Sequence, residues 1–505
     1  MALSYVWGPP ANQSGSASNE NPNTNRLLEV VPAVIRDAID VTRRLGFLYL
    51  WVDRYCIPSE HRHLQIGMMD IIYSRSALII IAAAVDGPDH GLPGVQSCPR
   101  DITGCDMHGI IQVGGYSILR WNSISVLKAL RRSTWNTRGW TYQEAVLCRR
   151  RLIFTPQFAV YEGQCNPGRS FILQRGFVSA IYNVDFSKPN SYFKSMMTPP
   201  STLTTHANDY MRRRFTYESD VYDAFRGIER MLSTEMKGYT IHYGLPTSTG
   251  VCEDCTFIDG LLWRVTVDHG RYPQRRKYVP SWTWLGWKLS HARGIVAGEG
   301  AGQGPIWPLF EEFSGFTGAK RVCDRFFSTS PAYNLRLAFP DGSILPWKES
   351  TLDLFNGRSS SGLPTLMISG WVFDASKLIG LADDQSVSDA VSMPVPGSGL
   401  EWVDEKHSLR QQIGDMIPAL GVKDLLMAQN SGDLVCLVLA GYNPRGMSRL
   451  RRKGLQVLWM LVLYRKPLLD IFERVTLIEV ELTRRWETYD VEKELGCTFQ
   501  ELKVG

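Results

Sequence analysis

Apolar and polar positions change period repeatedly along the first third of the chain, and each change predicts an element. Ala2-Leu3-Ser4-Tyr5-Val6-Trp7 reads as a short strand ended by Gly8-Pro9-Pro10. Asn12 to Asn25 is rich in Ser, Asn, Gly and Pro and is expected to be a surface loop. Val31, Val34, Ile35, Ala38, Ile39, Thr42 and Leu45 then fall on one face of a helix. Arg43 and Arg44 suit the negative end of its dipole, and Gly46 suits its stop.

Phe47 to Val52 is apolar almost throughout, the mark of a parallel strand buried on both faces, and it ends in Asp53. Ser59 is placed to cap a second helix carrying Leu64, Met68, Ile71 and Ile72. Ala77 to Ala84 predicts another buried strand, closed by the Gly and Pro residues from Gly87 to Gly94. Helices are expected around Ile124–Leu130 and Thr141–Leu147, and Leu152-Ile153-Phe154 returns to strand. Strands alternating with helices predict an α/β N-terminal domain, a parallel sheet with flanking helices.

Past residue 165 the pattern changes. Tyr217 to Leu232 predicts a helix with Val221, Phe225, Ile228 and Leu232 on one side. The last third alternates turns with the β-rich runs Thr365–Phe373, Leu434–Tyr442, Leu455–Tyr464 and Val475–Leu482, plus a short helix at Ser408–Met416. That predicts an α+β, β-rich C-terminal region of mainly antiparallel strands. The expected division is 1–165, 166–340 and 341–505.

Composition narrows the function classes. A net charge of +5 is spread over short clusters, Arg149–Arg151, Arg212–Arg214 and Arg449–Lys453, which read as solvated faces, so no nucleic-acid partner is expected. The ten cysteines include one Cys-x-x-Cys pair, Cys252/Cys255, without a second pair or paired histidines, so no metal site is expected. Cys56, with His61 and His63 nearby, reads as neither ligand nor nucleophile, and all ten cysteines are expected as reduced thiols in a cytoplasmic protein. Ala77–Val85 and Val457–Tyr464 fall far short of the ~20 residues that cross a bilayer, and no secretory signal precedes the first strand. Gly298 to Gly304 lacks the Gly-Lys-Ser/Thr ending of a phosphate-binding loop. Fifteen tryptophans imply large cores or stacking surfaces.

Several segments together resemble the fungal heterokaryon-incompatibility (HET) family. Ala2 to Gly8 resembles its opening motif. Asp37-Ala38-Ile39, Leu45-Gly46, Tyr49 to Asp53 and Cys56-Ile57 resemble its central block. Met69, Ile72-Tyr73 and Gly91-Leu92-Pro93-Gly94 follow in order, and Arg138 to Glu144 with Leu147 and Arg149-Arg150 resembles its closing block. Downstream, Asp220 to Gly227, Tyr243 to Pro246 and Pro280 to Trp287 are similar to long HET proteins. The chain departs from the pattern by beginning inside the opening motif, which predicts a first strand short of partners. It also departs at Pro58-Ser59-Glu60, Arg54-Tyr55 and Cys148.

The family resemblance implies non-self recognition and regulated cell death. A more distant resemblance, to TIR domains, implies a TIR-like or flavodoxin-like sheet and a reaction. Ser4-Tyr5 ends the first strand, and Trp140 stands four residues before Glu144, as in the Trp-Cys-x-x-Glu motif with which TIR enzymes cleave nicotinamide from NAD; Thr141 takes the cysteine position. The resemblance implies Glu144 as the catalytic carboxylate. Tyr5 or Trp7 would stack on a ring of the dinucleotide, Asp53 would hold a ribose hydroxyl or a cationic neighbour, and Trp140 would line the site. NAD enters as substrate, with no cofactor expected.

The competing reading is an interaction module that signals by self-assembly or by a partner protein. On it Trp140 is a core anchor, Glu144 pairs with Arg138 or Arg149, and Asp53 caps a turn. A site joining Glu144 to Tyr5, Trp7 or Asp53 separates the two readings. Burial of Trp282, Trp284 and Trp287 would mark a structural role for the region after residue 165, and exposure a docking role.

Overall fold

A computed structural model describes residues 1–8, 31–57, 62–84, 86–96, 98–100, 110–113, 116–119, 129–157, 159–163, 170–174, 177–180, 202–235, 239–248, 257–258, 260–266, 273–289, 304–306, 335–347, 363–374, 400–402, 433–442, 456–466, 468–482 and 497–505. Strand β1 (Ala2–Ser4) is followed by helices α1 (Ala33–Arg44), α2 (Asp53–Cys56), α3 (Arg62–Gly67) and α4 (Met69–Arg75). Then come β2 (Ile79–Ala82), the hairpin of β3 (Ile110–Val113) and β4 (Tyr116–Leu119), and the short helices α5 (Thr134–Thr137) and α6 (Trp140–Val146). Strands β5 (Arg150–Phe154), β6 (Ala159–Gly163), β7 (Ser170–Gln174) and β8 (Phe177–Ala180) complete a six-stranded sheet ordered β1-β2-β5-β6-β7-β8.

The first part of that sheet is parallel: β1 pairs with β2, and β2 with β5. From β5 onward the pairing is antiparallel, so the sheet is mixed rather than parallel throughout. Period-two alternation buries both faces. Leu3, Ile80, Ala82, Leu152 and Phe154 pack with Val34, Ile35, Ala38 and Val41 of α1. Ala2, Ile79, Ile81 and Ile153 pack on the other face with Met69 and Tyr73 of α4, Trp135 and Ala145.

Three sequence expectations need correction. Phe47–Val52 is not a buried strand: it meets the sheet through one bridge, Trp51 beside Ala2, at the edge beyond β1. Leu48 and Tyr49 there are 88% and 82% exposed. An edge segment has a single neighbour, so of its apolar run only Val52 is fully buried, with Leu50 and Trp51 partly covered. By the same contact β1 has partners on both sides, through Trp51 and β2, rather than being short of them. The helix expected through Leu64 to Ile72 is two helices, interrupted at Met68. Ser59, Cys252, Cys255 and the stretches 12–25, 124–128, 298–303 and 408–416 lie outside the described residues.

Beyond the sheet, helix α8 (Asp223–Glu235) packs against α3, α4 and α6, and helix α7 (Thr202–Met211) sets Tyr210 against Tyr142 of α6. Gly227 of α8 lies so close that a Cβ there would come within 2.5 Å of Asp70 Cβ and 2.7 Å of Gln143 Oε1. Arg230 adds an ion pair to Asp70 (2.7 Å) and donates to the Gly67 carbonyl (2.9 Å). The C-terminal region is β-rich, as expected. Strands Thr365–Asp374, Leu434–Tyr442, Gln456–Lys466 and Ile471–Leu482 pair in succession. Thr498–Val504 pairs with the first of them and touches the last, joining the two ends of the series. Trp282, Trp284 and Trp287 are buried in the core shared by α7, α8 and this sheet, the structural outcome for that block.

Candidate functional site

Alternation along β1 decides where the site forms. Ala2 faces the α4 and α6 layer and Leu3 faces α1, so Ser4 returns to the α4 and α6 side. There its hydroxyl donates to Glu144 Oε2 on α6. The Ser4 hydroxyl oxygen in turn accepts the indole N–H of Trp135 at 2.7 Å. Tyr73 of α4 reaches under β1, where its hydroxyl donates to the Leu3 carbonyl (3.4 Å) and is coupled electrostatically to Glu144, Asp53 and Tyr5. Ser4, Trp135, Tyr73 and Glu144 are all buried.

The second carboxyl comes from the edge. Asp53 opens α2 immediately after the Trp51 bridge, at the carboxyl end of that segment, as Ser4 is of β1. Its Oδ2 accepts the Trp7 indole N–H (3.0 Å), and its Oδ1 accepts the backbone N–H of Arg54 (2.6 Å). The Arg54 guanidinium stands 6.0 Å from the Trp7 ring centre. Tyr5 is buried, whereas Trp7 keeps part of its surface accessible.

Burial, and after it the Asp53 charge, push the Glu144 carboxyl up to about 8, against the opposing pull of Ser4, Arg138 and Tyr73. Burial also lifts Asp53 to about 6, countered by the Arg54 N–H, the Trp7 indole and the charges of Arg54 and Arg138. Burial and the Asp53 charge raise the Tyr5 hydroxyl far above its ordinary range. At neutral pH the pair therefore holds one proton, chiefly on Glu144, beside an ionised Asp53. Two carboxyls whose environments separate their titrations can divide the roles of proton holder and anion.

Thus Tyr5, Trp7, Asp53 and Glu144, expected from the sequence, lie in one electrostatically coupled group. Trp140 does not join it: its indole N–H donates to Asp220 (3.1 Å), and the ring packs between two cores. Thr141 is occupied likewise, donating to the Trp135 carbonyl (2.6 Å). The sequence pattern does not reveal Trp135 and the Ser4 hydroxyl as the polar chain that ends on Glu144. They are 131 residues apart, and no local spacing signals such a pair.

The segment carrying Trp135 to Glu144 is held from outside. Gly139 N–H donates to the Arg214 carbonyl (2.9 Å), and Arg214 N–H donates to the Thr137 carbonyl (2.7 Å). Arg213 lies 4.4 Å over the Tyr142 ring and donates to Asn136 Oδ1 (3.1 Å) and the Arg138 carbonyl (2.9 Å). Tyr142 and His206 share a hydrogen bond of 2.7 Å.

Residues 1–144 match the family model described as heterokaryon incompatibility protein (HET). The chain carries a HET domain. No curated protein and no solved structure matches the chain. Every residue of the carboxyl pair and its hydrogen-bond partners lies inside the matched HET segment, while the Arg213 and Arg214 clamp lies outside it. Among the described residues, no group of His, Cys, Asp and Glu is placed to hold a metal ion, and no helix is long and apolar enough to cross a membrane.

Proposed function

We propose that the HET domain cleaves the nicotinamide–ribose bond of NAD, in the cytoplasm of a fungal cell, as the executing step of non-self recognition and regulated cell death. The observation that carries this reading is the buried Ser4–Glu144 contact coupled to Asp53 at the carboxyl ends of parallel-paired segments. Open α/β sheets bind ligands at such ends. The parallel order Trp51 bridge, β1, β2, β5 supports a flavodoxin-like reading of the domain.

Breaking the C1′–N bond sends its electron pair to nicotinamide and leaves an oxocarbenium-like ribosyl centre, which a carboxylate stabilises or traps before water completes hydrolysis. Asp53 supplies negative charge at neutral pH. A cationic nicotinamide ring beside the pair favours the ionised form of Glu144 as well, since opposite charge lowers a carboxyl's titration point. Trp7, pinned through its indole N–H, offers the accessible ring for stacking.

Expression in fungal cells tests the whole reading. The wild type is expected to deplete NAD and kill, and Glu144→Gln to do neither. Killing by both without NAD loss would favour the second reading, a self-assembling death-signalling module. That reading draws on the apolar exposure of Leu48 and Tyr49 at the sheet edge, of Leu64 on α3, of Met68 between the helices and of Ile71 on α4.

A further inference from the structure

We propose that Trp135 and Ser4 are positioning residues that fix which oxygen of Glu144 carries and exchanges the proton. The inference rests on the reading of Glu144 as the reacting carboxyl and adds how it is held.

An indole N–H donates and cannot accept, while a serine hydroxyl donates once and accepts twice. Trp135 Nε1 lies 2.7 Å from Ser4 Oγ, so that oxygen is an acceptor there. The single hydroxyl proton of Ser4 is then directed at Glu144 Oε2. All three side chains are buried, so bulk water does not compete for these positions. Oε2 is thereby held as the accepting oxygen of the carboxyl, and the Glu144 proton resides on Oε1. Without Trp135 the Ser4 hydroxyl would be free to turn and accept from a protonated Glu144, and the polarity of the chain would be lost. Sequence alone hides this device, because Trp135 and Ser4 stand 131 residues apart.

The other charged or titratable groups facing Glu144 are Asp53 from α2, Arg138 from the turn before α6 and Tyr73 from α4, and none of them is altered in the test. A hydrogen bond to the carboxylate favours the ionised form, so removing it moves the titration upward. Carboxyl ¹³C resonances of glutamate-labelled protein, with Glu144 assigned by its loss in Glu144→Gln, report the midpoint without any NAD present. Ser4→Ala and Trp135→Phe are each expected to raise that midpoint by about one pH unit, the shift that a hydrogen bond to a charged group supports. Ser4→Thr, which keeps the hydroxyl, is expected to restore it. In the unaltered protein the Trp135 indole N–H resonance is expected to shift with the same midpoint as Glu144, a readout that needs no variant to fold.

An indole resonance unchanged from pH 6 to 10, or a Glu144 midpoint unmoved in the two deletions, would overturn the proposal. Either result would leave the NAD cleavage reading standing. Absence of nicotinamide release, with these titrations as expected, would leave the positioning geometry standing.

Discussion

Replacing Glu144 by glutamine is expected to stabilise the protein, and increasingly so as pH rises. Glu144 is buried, and its carboxyl is lifted from 4.5 to about 8, first by burial and then by the Asp53 charge. In the unfolded chain the proton leaves near the ordinary value, whereas the folded protein keeps it through neutral pH. Between those points the folded state binds more protons than the unfolded state, so stability falls as pH rises, and it levels off above about 8. At 1.36 kcal/mol per pH unit the interval corresponds to a loss of roughly 5 kcal/mol. Glutamine has the same shape, gives the Ser4 hydroxyl an acceptor and has no charge to bury. The melting temperature of Glu144→Gln minus that of wild type should therefore grow by on the order of 5 °C between pH 5 and pH 8.5 for a chain of 505 residues. Glu229 is also buried and lifted to about 8, so both proteins lose stability over this range and only their difference isolates Glu144. Paired thermal scans at one scan rate across pH 5–9 supply the data. A difference that stays flat, or shrinks with pH, would refute the electrostatic account of the site.

Other expectations concern the frame around the carboxyl pair. Gly227→Ala should cost about 1–3 kcal/mol in urea unfolding, because the new Cβ meets Asp70 and Gln143; an unchanged midpoint would mean that α8 does not press on α4 and α6. Gly91→Ala should cost a similar, roughly 1–3 kcal/mol, since its Cβ would fall 2.1 Å from the Asp37 oxygen that accepts the Leu92 N–H (2.7 Å). Faster hydrogen exchange at Leu92 is its direct sign. Trp282→Ala should lose about 3–5 kcal/mol by emptying a buried aromatic site, and a loss under about 1 kcal/mol would reassign that tryptophan from core to surface.

Much of this fold was legible in the pattern of residues, where burial on one face leaves a periodic signature. The helix on Val34, Ile35, Ala38 and Val41, the strand at Ile79–Ala82 and the long C-terminal strands follow from it. Phe47–Val52 was misread because an apolar run signals burial only where neighbours exist, and the sheet ends beside it. Tyr5 and Trp7 follow the end of β1, and Asp53 joins them because the Trp51 bridge runs parallel to that strand, although its segment is not a strand. Trp140 kept the right spacing to Glu144 but points its N–H at Asp220, a residue 80 positions away that no local pattern couples to it. The same limit hid the Trp135–Ser4–Glu144 chain and the Arg213 clamp, both of which exist only after distant segments meet.

Nicotinamide release from NAD by the purified chain, wild type beside Glu144→Gln at high protein concentration, tests the central claim most directly. Steady release by wild type, and its loss in a variant that is folded and more stable at pH 8, is the predicted result. No release by wild type, with NAD unchanged over hours and the fold intact by circular dichroism, would contradict an NAD-cleaving HET domain.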